Sequence, residues 1–153
     1  MKLLLLALGV SVLFAAWQWF RPYEWSPDPV ARYEVSQCMV ERDHSNLWLR
    51  VFLKPQEGQT MDYLKPIRLT TAAGKQHEPA QMDQAGGAHA GGSLDSDQSG
   101  RVDQVVLSFW LEPADFSGPL KLELNGGSLA IRSGDALPKV ADGAFRVFNS
   151  TRW

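Results

Sequence analysis

The chain has 153 residues, 44% of them hydrophobic, with 15 Lys and Arg against 17 Asp and Glu for a net charge of −2. That near-neutral balance excludes nucleic acid as a partner, which calls for a basic face, and excludes a polybasic membrane-surface patch. A single cysteine excludes an internal disulfide, and the length suits one domain rather than two.

Leu3 to Phe20 runs for 18 residues without a charge, and only Ser11 and Gln18 interrupt its apolar character. As a helix it would measure roughly 27 Å, close to the hydrocarbon thickness of a bilayer. Lys2 precedes the run, while Trp17, Trp19, Tyr23 and Trp25 crowd its far end, where amphipathic rings favour the membrane interface. Residues 1–21 therefore read as a signal anchor with one transmembrane helix over residues 3–20. A cleaved signal peptide is the alternative. Cutting after Ala16 or Ala15 would leave Phe14 or Leu13 where signal peptidase requires a small residue, so retention is preferred. Cys38 lies too far downstream for a lipobox. A two-residue head before the apolar run suits export of the polar remainder of the chain. The expected location is the inner membrane, crossed once, with the domain in the periplasm; secretion after cleavage is the alternative.

Residues 22–29 form a Pro-rich, extended stalk. Residues 30–153 make up the domain. Val30 to Arg42 reads as a first strand with Tyr33, Val35 and Met39 at apolar positions and Cys38 buried and inert. Asp43 to Asn46 has turn chemistry. Leu47 to Lys54 then alternates, with Leu47, Leu49, Val51 and Leu53 on one face and Trp48, Arg50, Phe52 and Lys54 on the other. Pro55 to Thr60 is a loop. Met61 to Thr71 is extended, with Pro66 marking an edge or a bulge, and Lys75 to Pro79 is a short edge strand.

Residues 83–100 carry five glycines and Leu94 as their one large apolar side chain, so a long flexible loop is expected. Arg101 to Leu111 alternates again, with Val105, Leu107, Phe109 and Leu111 on one face. Glu112 to Pro119 turns the chain. Leu120, Leu122 and Leu124 lead into a hairpin at Asn125-Gly126-Gly127, which continues through Leu129 and Ile131. Residues 135–153 are irregular apart from a candidate last strand over Ala144–Asn149, and Arg152 and Trp153 are expected to fray.

About six to eight short strands with no helical period after residue 21 predict an all-β, antiparallel β-sandwich preceded by one transmembrane helix. Leu49, Val51, Val105, Leu107, Phe109, Leu122 and Leu124 should fill its core, and Trp48 and Trp110, in mid-strand, are expected there too. The succession of apolar leader, Pro-rich stalk, LWLRVFLK, Gly-rich loop, VVLSFWLEP and LKLELNGG resembles bacterial membrane-tethered immunoglobulin-type (telokin-like) domains over residues 30–134. The resemblance implies an immunoglobulin-like fold and a location, and no reaction. The cysteine pair of antibody-type domains is absent.

The candidate sites are few. Asp95, Asp97, Ser99, Gly100 and Asp103 match the start of a calcium loop, in which alternating oxygens converge on a hard cation. Val106 stands where that loop needs a bidentate Glu, so a solvated linker is the preferred reading and no cofactor is expected. His44, His77 and His89 share no ligand spacing and are expected at the surface. No GxSxG elbow or Walker lysine is present, and no enzymatic activity is expected. The Trp48, Arg50 and Phe52 face is the rival to a core Trp48, as an exposed aromatic surface for a ligand, a carbohydrate or a partner. The expected role is a non-enzymatic interaction or assembly module of the cell envelope, with a protein partner; a small-ligand, carbohydrate or calcium module is the alternative. Intact mass spectrometry of the purified protein should find the residues before Trp17, whereas a mature terminus at Trp17 would show that the leader is removed.

Overall fold

The computed structural model describes residues 10–11, 28–86 and 102–153. Apart from Val10 and Ser11, the apolar stretch over residues 3–20 lies outside the described residues, as does most of the stalk. Among the described residues no helix is long and apolar enough to cross a membrane.

The chain folds as two antiparallel sheets. The strands are β1 (Tyr33–Asp43), β2 (Asn46–Pro55), β3 (Arg68–Thr70), β4 (Gln76–His77), β5 (Gln81–Gly86), β6 (Val102–Leu111), β7 (Leu120–Leu124), β8 (Gly127–Arg132) and β9 (Phe145–Phe148). One sheet has the order β5-β6-β2-β1-β9 and the other β4-β3-β7-β8. A 3-10 turn, Pro113–Phe116, joins β6 to β7. The two sheets share one hydrophobic core, as in a β-sandwich.

The alternation read from the sequence fixes which side chains fill that core. Leu49, Val51, Leu107, Phe109, Leu122 and Leu124 are fully buried, and Val105 nearly so. Leu69, Leu120, Leu129 and Ile131 complete the layer from the smaller sheet. In β1 the phase changes. The pairing of β1 with β2 shifts between Val35 and Gln37, leaving Ser36 as an extra residue whose Oγ donates to the Phe52 carbonyl at 3.1 Å. Tyr33 and Val35 point inward before this bulge, and Cys38 and Val40 after it. Met39, expected with the apolar set, is thereby turned to the outer face, opposite Arg50.

Two tight approaches set the hairpin of β7 and β8. Asn125 (φ 56°) and Gly126 (φ 85°) both sit in the left-handed region that a two-residue type I′ turn demands. At Gly127 a Cβ would strike the backbone of Ala31, so only glycine there lets the incoming chain lie this close to β8.

The structure corrects the expected loop over residues 83–100 at its start. Asp83 to Gly86 belong to β5, paired with β6 from Gln81↔Ser108 to Gly86↔Val102. Main-chain pairing at a sheet edge needs no buried side chain, so glycine and polar residues do not prevent it. Residues 87–100 lie outside the described residues. At the other end, β9 occupies Phe145–Phe148 within the expected last strand and pairs with β1. Truncating Phe109 to Ala should destabilise the domain by about 3–5 kcal/mol in chemical denaturation, the cost of a large core cavity.

Candidate functional site

The outer face of the five-stranded sheet breaks the usual rule that such a face is polar. Register places residues in rows across it. At the end near the β1–β2 turn the row reads Phe145, Glu41, Trp48, Trp110. The next reads Val147, Met39, Arg50, Ser108, Gln81, and the third Gln37, Phe52, Val106, Asp83. Phe145 is 66% exposed, Val147 42% and Trp110 39%. Trp48, Arg50 and Phe52 are half-buried by their neighbours.

Trp48 and Trp110 are thus not core residues. Leu47, Leu49, Val51 and Leu53 already fill the inner side of β2, and period two leaves Trp48 the other side. The two indoles meet edge to face, 4.6 Å between centroids and 69° between planes. Arg50 pairs with Glu41 on the neighbouring strand at 3.0 Å. This aromatic row, interrupted by Glu41, lies at the end of the sheet opposite to where the chain enters, because residues 28–32 contact Gln56, Asn125 and Ser128 at the other end.

A second cluster lies between the edge strand β4 and the 3-10 turn. Asp115 is buried and accepts from the Glu112 amide at 3.0 Å, and Lys75 Nζ lies 3.2 Å from its Oδ1. Burial pushes the Asp115 carboxyl up, but the Glu112 amide, Lys75 and the charge of His77 together hold it below its ordinary value. The same bond to Asp115, aided by Glu112, raises Lys75. His77, expected at the surface, faces inward opposite Leu69, and its Nε2 lies 3.3 Å from Asp115 Oδ2, misaligned for a hydrogen bond. The cluster braces the turn against the edge strand.

The third polar feature is Arg132. It is 1% exposed, and its guanidinium donates to the main-chain oxygens of Phe116, Gly118, Ala136 and Trp153. Its charge sits 5.8 Å from the Phe116 ring centre and 5.3 Å from that of Trp153. Trp153 in turn stacks on Phe148 at 4.3 Å. The expectation that Arg152 and Trp153 fray is corrected for Trp153, which closes over this buried cation.

Other candidates separate. Cys38 is fully buried, and desolvation pushes its thiol well above the ordinary range, so it is no nucleophile near neutral pH. His44 is exposed in the β1–β2 turn, its pKa raised by a 2.7 Å contact with Asp43 and by the charges of Asp142 and Asp43. Asp95, Asp97, Ser99 and His89 lie outside the described residues, and Asp103 falls in β6. Among the described residues no three His, Cys, Asp or Glu side chains converge as metal ligands. A shallow cleft of about 660 Å³ opens between Arg42 and the crossover of residues 136–141.

Reasoning from the sequence named the Trp48 face as one of two readings but missed Phe145 and Val147. The signal was present in the alternation of FRVF, yet nothing in the sequence says that β9 lies beside β1. No protein-family model matches the chain, and no curated protein or solved structure matches it either.

Acid should weaken the fold through Asp115. A carboxylate whose folded pKa is depressed contributes stability above the unfolded value of about 3.9, and loses it as pH falls through the lower folded value. In thermal melts, Asp115→Asn should lower the melting temperature at pH 7 and shrink the drop in melting temperature between pH 7 and pH 3.

Proposed function

We propose that this chain is a membrane-tethered, extracytoplasmic immunoglobulin-type domain that acts as a non-enzymatic interaction module, docking a protein through the outer face of its five-stranded sheet. The strand order supports the immunoglobulin-type reading. That fold arranges its strands A-B-E-D on one sheet and C-F-G on the other, with C′ beside C where it occurs. Here β1-β2-β6-β5 and β3-β7-β8 follow those orders, β4 stands in the C′ place, and β9 adds a strand outside β1. The Leu3–Phe20 run with its aromatic flank and the Pro-rich stalk support tethering.

The observation that carries the docking role is the cluster of Trp48, Trp110, Phe145 and Val147 on a face that water would otherwise wet. Large apolar side chains gathered on one sheet face around a single ion pair support a partner site there. A carbohydrate platform is less well supported, because the two indoles stand edge to face and offer a sugar no coplanar pair of rings. Replacing Trp110 with the photo-crosslinking residue p-benzoylphenylalanine in the full-length, membrane-resident protein should give a protein adduct on irradiation. The same substitution at Leu64, 96% exposed in the β2–β3 connection, should give none. Absence of any protein adduct from position 110 would overturn the docking role.

A further inference from the structure

We propose that the partner on this face is a second copy of the chain, packed sheet to sheet about a twofold axis that runs along the strands between β1 and β2. The inference rests on the docking role and goes further by naming the occupant. It follows from the order of side chains across the sheet. In the row Phe145, Glu41, Trp48, Trp110, such an axis sets Phe145 opposite the second copy's Trp110, and Glu41 opposite the second copy's Trp48. In the next row Val147 meets the second copy's Ser108, and Met39 meets the second copy's Arg50. The two most exposed rings on the face, Phe145 and Trp110, therefore cover each other twice.

Charge points the same way. Glu41 and Arg50 form an ion pair in the middle of the patch, 3.0 Å apart on adjacent strands. A strongly acidic partner would meet Glu41 as a like charge, and a strongly basic one would meet Arg50. A second copy brings the opposite pair automatically, because the axis lies between the two strands. Each Arg50 then lies diagonally across from the second copy's Glu41, and the four charges form a neutral ring. The axis direction also fits the chain's entry. With the axis along the strands, both copies receive their amino-terminal segments at the same end, so two domains tethered in one membrane can meet face to face.

The test uses the full-length protein in membranes. The adduct formed from p-benzoylphenylalanine at position 110 should have twice the chain's mass, and peptide mapping should join it to the segment containing Phe145. Glu41→Arg alone and Arg50→Glu alone should each reduce that adduct about tenfold by placing like charges in contact. Coexpressing the two variants under different tags should restore the adduct between them, because an all-cationic patch then faces an all-anionic one. An adduct to a protein of another mass would overturn the self-association while leaving the docking role standing. An adduct of twice the mass that maps elsewhere, or single variants that crosslink as well as the parent, would overturn the proposed geometry. No adduct at all would overturn both.

Discussion

The arrangement of this domain turns on one buried cation. Arg132 ends β8 with its guanidinium inside the protein, and among the described residues no Asp or Glu side chain forms an ion pair with it. Desolvating such a charge costs several kcal/mol, and four charge-assisted hydrogen bonds worth about 1.5–3 kcal/mol each are enough to offset that. The acceptors come from three separate places: the 3-10 turn after β6, the crossover after β8, and the end of the chain. Burial lowers its pKa from the ordinary arginine value, yet a guanidinium stays protonated in a protein, so the clamp holds at any physiological pH. Its effect reaches the outer surface. By fixing Ala136 and Trp153 it bounds the segment that carries β9, and β9 brings Phe145 and Val147 into the aromatic face.

The opposite end is held by a neutral counterpart. Asn125 is 1% exposed in its turn, accepts from the Asp62 amide at 2.8 Å and donates to the Ala31 carbonyl at 2.6 Å. Asp28 accepts from the Ser128 amide at 2.7 Å and the Val30 amide at 2.8 Å, which holds its carboxyl below the ordinary value. The bond from the Ser128 amide satisfies one group of β8, an edge strand of the smaller sheet, which would otherwise be open to pairing by another strand. The fold thus lays the incoming chain against the edge strand of the smaller sheet and leaves aromatic side chains on the outer face of the larger one. The aromatic face lies at one end of the larger sheet and the chain's entry at the other, the geometry that the proposed tethered docking module requires.

The inner and outer faces of the larger sheet differ in what they ask of the sequence. Inside, the positions foreseen from alternation are buried, because period two and the absence of competing polar groups leave them no other place. Outside, the same period forces Trp48, Trp110 and Phe52 to a surface where no core demands them. Aromatic residues in mid-strand are ambiguous for that reason. The bulge at Ser36 adds a second ambiguity, since one extra residue moved Met39 from the expected core to the face that carries Arg50.

Sequence alone determined the all-β character, the antiparallel hairpins and the aliphatic core positions of β2, β6 and β7, because alternation, turn residues and a two-residue Asn-Gly turn act over a few neighbouring residues. It determined the strand content of Leu47–Lys54 and Arg101–Leu111 nearly to the residue. It misjudged Asp83–Gly86, His77 and Trp153, whose places are set by partners distant along the chain: β6, Asp115 and Arg132. Only the tertiary structure decided that β9 lies against β1, and so that Phe145 joins Trp48 and Trp110 in one surface. It also decided that Arg132 is buried. An arginine near the end of a strand reads as a solvent-facing charge until the carbonyls of three separate segments converge on it.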